Sequence, residues 1–224
     1  MMNDKEGVQM ERHAFALRVN EGKMGEFRAN LGKIWPRLTA FLDEHEINNF
    51  SMWNVEYMVF GYFETAGFLE YSNTDRETVA CWEEEFGGCY EWISTPFQEM
   101  RLVYEEFGVV RENKELIRHR VFITKLYPGK EEEYKLAHDE LIEARHGQIP
   151  QGPDSNFSIW CAGGYVFGYD EIDITMEHEM TESERKETVD WENRMLNLMS
   201  WMTNDIDWML DERHDNIVRI GFHN

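Results

Sequence analysis

Three cysteines, Cys81, Cys89 and Cys161, are too few and the wrong number for a disulfide framework, and no two of them have metal-ligand spacing. They are expected to be free thiols in a reducing compartment. No apolar run approaches the roughly 18 residues that a membrane span needs. The opening Met1-Met2-Asn3-Asp4-Lys5-Glu6 is polar and acidic, unlike a secretory signal. A cytoplasmic protein without a membrane partner is therefore expected. Basic residues are scarce: 22 Lys and Arg stand against 44 Asp and Glu, a formal charge of −22. Such a surface repels phosphate backbones, which argues against a nucleic-acid partner. Acidic runs such as Glu83-Glu84-Glu85 and Glu131-Glu132-Glu133 read as solvated helix faces. There is no glycine-rich phosphate loop, and no Ser or Cys sits in a recognisable nucleophile elbow. A neutral or zwitterionic small molecule suits this balance best.

What the chain does have is an internal repeat. Asn49 to Glu64 begins Asn-Phe-Ser-Met-Trp and continues through a turn into Tyr-Met-Val-Phe-Gly-Tyr-Phe-Glu; Asn156 to Glu171 repeats it, at a constant offset of 107 residues. A repeat this long is one small domain, not a solenoid unit. Phe50, Met52, Phe157 and Ile159 alternate with polar or small neighbours, as half-buried strands do. Cys161-Ala162-Gly163-Gly164 supplies a hairpin turn. Gly61 and Gly168, each between aromatics, mark a bulge, a bend or a close approach.

Either side of this hairpin the pattern is the same in both halves. Residues 12–19 alternate as a strand. Met24, Phe27, Leu31, Ile34, Trp35, Leu38, Phe41 and Leu42 then form one helical stripe, which Pro36 is expected to kink or break. A second helical stretch covers about 66–93, interrupted at Gly87-Gly88, and a fourth strand covers 101–108. The second half offers a strand over 120–126, a helix from about 130, the hairpin, a cap at Thr181-Glu182-Ser183-Glu184, a helix to about Trp201, and a last strand over 216–222. Each half thus reads β-α-β-β-α-β, the ferredoxin-like order. The expected fold class is α+β, with two tandem domains, 12–108 and 118–222. Sheet packed against sheet would give an intrachain dimeric α+β barrel, either monomeric or dimerising through other surfaces.

The sharpest chemical candidate is Tyr134-Lys-Leu-Ala-His138, whose first and last residues share a helix face. A core histidine bonded to a backbone carbonyl is the commoner meaning of that pattern. The functional one is an acid/base, since imidazole titrates near neutrality. By the offset, His138 corresponds to Leu31 and Tyr134 to Phe27, so only the second half would be active. Trp160 and Trp191, with Trp53 and Trp82 in the first half, could stack on a sugar face, although aromatics at this spacing more often form core. Tyr165 and Tyr169 place two hydroxyls on one face of the hairpin. Glu177-His178-Glu179 reads as a solvated loop, so no metal site is expected.

These residues resemble the L-rhamnose mutarotase family, once per half. The resemblance rests on Ala14-Phe15 with Leu17 and Val19, Ile34-Trp35-Pro36, Asn49 and Asn156, Thr74-Asp75, and Tyr134-Lys-Leu-Ala-His138 against the family's Tyr-x-x-x-His. It implies a sugar substrate, no cofactor, His138 as proton donor and acceptor, and Tyr134 lining the sugar site. The family pieces are divided between the halves: the first has Leu31 for the histidine and Phe27 for the tyrosine, and the second has Ile142-Glu143 for Trp-Pro. The expected function is an aldose mutarotase, an isomerase. The alternatives are a non-catalytic barrel binding a small molecule or a protein, or a cofactor-independent monooxygenase-like or haem-related relative.

Overall fold

The computed structural model describes residues 10–94, 99–111, 113–202 and 216–224. In chain order the elements are β1 (Met10–Val19), α1 (Met24–Glu44), β2 (Asn48–Val55), β3 (Met58–Ala66), α2 (Asn73–Glu85), β4 (Tyr90–Trp92), β5 (Arg101–Gly108), β6 (Ile117–Leu126), α3 (Glu131–Ala144), β7 (Asp154–Ala162), β8 (Tyr165–Asp173), α4 (Glu182–Met195), β9 (Met199–Trp201) and β10 (Val218–His223). Two compact units divide them: Met1–Glu99 with Val218–Asn224, and Met100–Ile217.

Each unit is one antiparallel sheet of five strands with two helices, an α+β arrangement of the ferredoxin-like kind. The strand orders are β10-β2-β3-β1-β4 and β5-β7-β8-β6-β9. These orders show where the repeat and the compact unit part company. The strand that follows the first repeat's second helix, β5, pairs with β7 of the second sheet. The closing strand β10 pairs with β2 of the first sheet. Each sheet is therefore completed by a strand from the other half of the sequence.

Local chemistry explains most of the elements. In α1, Phe27, Leu31, Ile34 and Leu42 are buried on one face. The helix runs through Pro36 unbroken, so the break that Pro36 could have caused does not occur. Pro36 and Gly32, whose carbonyl loses its partner to the ring, both lie on the exposed face, where water can replace the bond. The capping box of α4 forms as expected, Thr181 Oγ1 accepting from the Glu184 N–H, and Ser72 with Asp75 does the same for α2. The helical stretches read to about 93 and 201 stop earlier, at Glu85 and Met195. Gly87 and Gly88, both at positive φ, turn the chain, and three-residue strands follow. Such short strands leave no readable alternation. Each is tied back to its helix by an indole: Trp92 Nε1 donates to Glu83, and Trp201 Nε1 donates to Glu192 at 2.6 Å.

The duplicated hairpins match in detail. The register slips between Asn48 and Ser51 and between Ser155 and Ser158, and at both slips a buried asparagine, Asn49 or Asn156, takes a left-handed φ of 51° or 52°. Asparagine tolerates that conformation better than most residues. Gly61 stands directly opposite Phe15, and Gly168 opposite Phe122. A Cβ at either glycine would lie 2.0 Å from the facing ring. This is the close approach that glycine between aromatics implied: the ring lies over the bare backbone and fills the missing side chain's place.

Gly168→Ala is expected to lower stability by about 1–3 kcal/mol, because the Phe122 ring must leave its position. Urea denaturation checks this, and Phe122→Leu should absorb part of the loss. An unchanged midpoint for Gly168→Ala would refute the packing argument.

Candidate functional site

Helix α3 begins with Glu131, Glu132 and Glu133 in its first turn, a favourable charge for a helix N-terminus. Its inward face is Tyr134, Ala137 and His138. Tyr134 and His138 are each 2% exposed. The His138 Nδ1 lies 2.8 Å from the Tyr134 carbonyl oxygen. A carbonyl only accepts, so Nδ1 carries the hydrogen and the lone pair is on Nε2. Three rings enclose the imidazole: Tyr134 at 4.4 Å between centroids, and the edges of Trp191 at 5.1 Å and Tyr104 at 5.4 Å. Burial pushes the imidazole pKa down to about 4. The same burial raises the Tyr134 hydroxyl. Both groups are neutral at pH 7.

The structure brings together three of the six residues read from the sequence. Tyr134, His138 and Trp191 meet in the layer between helices and sheet. Trp160, Tyr165 and Tyr169 do not join them. Along β7 and β8 the residues packed on the helix side are Phe157, Ile159, Cys161 and Val166. Strand alternation puts Trp160, Tyr165 and Tyr169 on the opposite face. There they have other partners. Trp160 Nε1 donates to Ser158 Oγ at 2.9 Å, as Trp53 does to Ser51 at 3.0 Å. The Tyr169 hydroxyl donates to buried Glu171 at 3.0 Å, as Tyr62 does to Glu64 at 2.9 Å. The presence of these bonds in both halves marks them as part of the shared scaffold.

Sequence reading missed Tyr104, which was assigned to the first domain; β5 carries it into the second sheet, beside His138. It also missed Asp170. The alternation that places Val166 and Gly168 on the helix side places Asp170 there too, with no exposure. Arg120 Nη2 stands 2.7 Å from Asp170 Oδ2 and 3.1 Å from Asp154 Oδ1. Arg120 and Asp154 are the polar side chains that face this buried carboxyl. Burial pushes the Asp170 carboxyl well above the usual carboxylate range, against the opposing pull of Arg120. The visible signal was the change at the offset positions: Asp170, Arg120 and Asp154 replace Phe63, His13 and Ile47.

The first unit is built differently at the same places. Phe27 and Leu31 replace the tyrosine and histidine, and a cavity of about 160 Å³ lies between its helices and sheet. Its walls include Phe27, Leu31, Phe41, Phe50, Phe63 and Trp82.

Comparison with known proteins matches the two halves of the sequence to one family. The family model described as L-rhamnose mutarotase matches residues 12–106 and 119–216. An L-rhamnose mutarotase from Sinorhizobium fredii is 42% identical over 43 residues, which is 19% of this chain and 41% of that relative. The match thus spans less than half the length of the relative. No solved structure matches.

The buried imidazole gives a pH dependence with a definite sign. The unfolded chain protonates His138 near 6.5 and the folded chain only near 4. The unfolded state binds more protons in that window, so this residue's contribution to stability falls as pH drops from 6.5 towards 4. Chemical denaturation from pH 7 to 4 should show a shallower loss in His138→Leu than in the parent. Equal slopes would show that the imidazole titrates normally.

Proposed function

The chain belongs to the L-rhamnose mutarotase family, with one family unit in each half, and we propose on that premise that it interconverts the anomers of L-rhamnose or a related deoxy aldose. The chemistry is assigned to the second unit. One observation carries the assignment: a buried, neutral imidazole whose Nδ1 is held by the Tyr134 carbonyl, leaving the lone pair on Nε2.

The reaction needs proton movement and one bond rotation. His138 Nε2 takes the proton of the anomeric hydroxyl. The bond from the anomeric carbon to the ring oxygen breaks, and the ring oxygen receives a proton from the imidazolium. The open aldehyde turns about its bond to the next carbon, and the same steps in reverse close the ring on its other face. A low imidazole pKa makes the imidazolium a ready donor, which suits a group that must hand the proton on. Trp191 offers an apolar wall for the sugar ring, and the Tyr134 hydroxyl orients it. The buried Asp170 carboxyl, beside Arg120, is assigned to bind sugar hydroxyls. Proton transfer alone completes the cycle, and no cofactor is assigned to it.

A second reading, a non-catalytic binding protein on the same scaffold, draws on one specific fact. His138 and Tyr134 are each only 2% exposed. That degree of enclosure leaves little room for a sugar beside the imidazole.

Saturation-transfer NMR of the anomeric protons of L-rhamnose separates the two readings. The parent should accelerate exchange, and His138→Ala should reduce the rate on the order of 10²–10⁴-fold. Asp170→Asn should weaken sugar binding more than it slows the bound step. Full rate in His138→Ala sinks the assignment, and no acceleration of any common aldose leaves the binding protein.

A further inference from the structure

We propose that the first unit binds a small neutral aromatic molecule bearing one hydrogen-bond donor, of the phenol or indole type, in its helix–sheet cavity. This stands apart from the mutarotase reading, which concerns the second unit.

Size and lining come first. The space is about 160 Å³, close to the roughly 150 Å³ of an apolar cavity, lined by Leu, Ile and Phe, that stays dry and takes up benzene. Its wall is ring-rich, with Phe41 edge-on to Trp82 at 5.4 Å and Phe50 beside Phe63 at 6.4 Å. A flat aromatic guest extends that edge-to-face arrangement. A sugar does not fit this chemistry. At the two positions where the second unit carries Tyr134 and His138, this one carries Phe27 and Leu31, so hydroxyls pointed there would lose water and gain no partner.

The polar side chains along the lining include the phenol of Tyr71 and the carboxylates of Glu83 and Glu99. Glu83 accepts from Trp92 Nε1, and Glu99 lies 2.6 Å from His13 Nδ1. An ionised carboxylate has about four acceptor sites, so each of these has room for a further donor. The guest's O–H or N–H therefore has an acceptor, while an anionic guest meets like charge. Burial, and then Glu99, raises the Tyr71 hydroxyl to about 12, which keeps it a neutral phenol.

Calorimetric titration of the full chain with indole and phenol, against benzoate and L-rhamnose, tests the proposal. Two filling variants on different helices, Leu31→Phe and Val79→Phe, locate the site. One saturable site for indole or phenol, weakened on the order of 10-fold or more in each folded variant, is expected, as is the absence of saturable benzoate binding. No saturable heat up to the solubility limit would overturn the proposal, and so would unchanged affinity in the folded variants. Benzoate binding as tightly as phenol would overturn the acceptor role given to Glu83 and Glu99. Should both variants fail to fold, methyl-labelled Leu31 and Val79 decide: contacts from indole protons to these methyls support the cavity, and contacts elsewhere refute it. Rhamnose mutarotation in folded Leu31→Phe should match the parent, which keeps the two sites experimentally separate.

Discussion

A hairpin edge with unpaired backbone groups is a liability, and the strands that this chain uses to cover β2 and β7 govern the rest of the structure. Strand β2 is closed by β10, and β7 by β5. The sequence is a tandem repeat, but the hydrogen bonding is exchanged. The exchange decides what faces each helix–sheet layer. In the second unit β5 delivers Tyr104 against His138. In the first unit β10 delivers Gly221, where a Cβ would sit 2.6 Å from the Trp35 ring. One closing strand brings a phenol, and the other leaves space for an indole.

Within this common frame the halves have divided their chemistry. The scaffold features are duplicated: the asparagine at left-handed φ, the glycine under an aromatic ring, the tyrosine bonded to a buried glutamate, and the tryptophan tied to its helix. The features facing the helix–sheet layer are not. The second unit holds buried His138 and Asp170, with Arg120 and Asp154 beside Asp170. The first unit holds Leu31, His13, Ile47 and Phe63 at the same offsets. A buried polar set needs partners or a ligand to be tolerable, whereas the apolar Leu31, Ile47 and Phe63 tolerate empty space and His13 has its partners in Glu99 and Thr65.

Much of this was legible beforehand. The constant offset gave the duplication, alternation gave the hairpins, and the three- and four-residue periodicity gave α1 and α3. Tyr134 and His138 were placed on one buried face from spacing alone. The failures have physical causes. Trp160, Tyr165 and Tyr169 look like site residues because aromatics and hydroxyls look alike on either face of a sheet; which face meets the helices depends on the register against β6. Tyr104 was invisible because strand exchange is a long-range choice that no local pattern encodes. The expected break at Pro36 failed because the buried face of α1 outweighs one lost hydrogen bond on its wet side. Strands β4 and β9 are too short to carry a period.

The exchanged closing strand also has a consequence for how the protein is made. In the first sheet Phe50 pairs with His223, a separation of 173 residues, next to the last residue of the sequence. During synthesis the earliest hairpin emerges first but waits for a strand made up to 173 residues later to receive its neighbour. The second sheet, translated later, has all its strands in hand sooner. The order of completion thus reverses the order of emergence. Cutting the gene between the repeats would give two products, each lacking its own closing strand and holding the other's. Duplication followed by exchange has made the two copies a single heritable object, free to diverge in chemistry because neither can be inherited without the other.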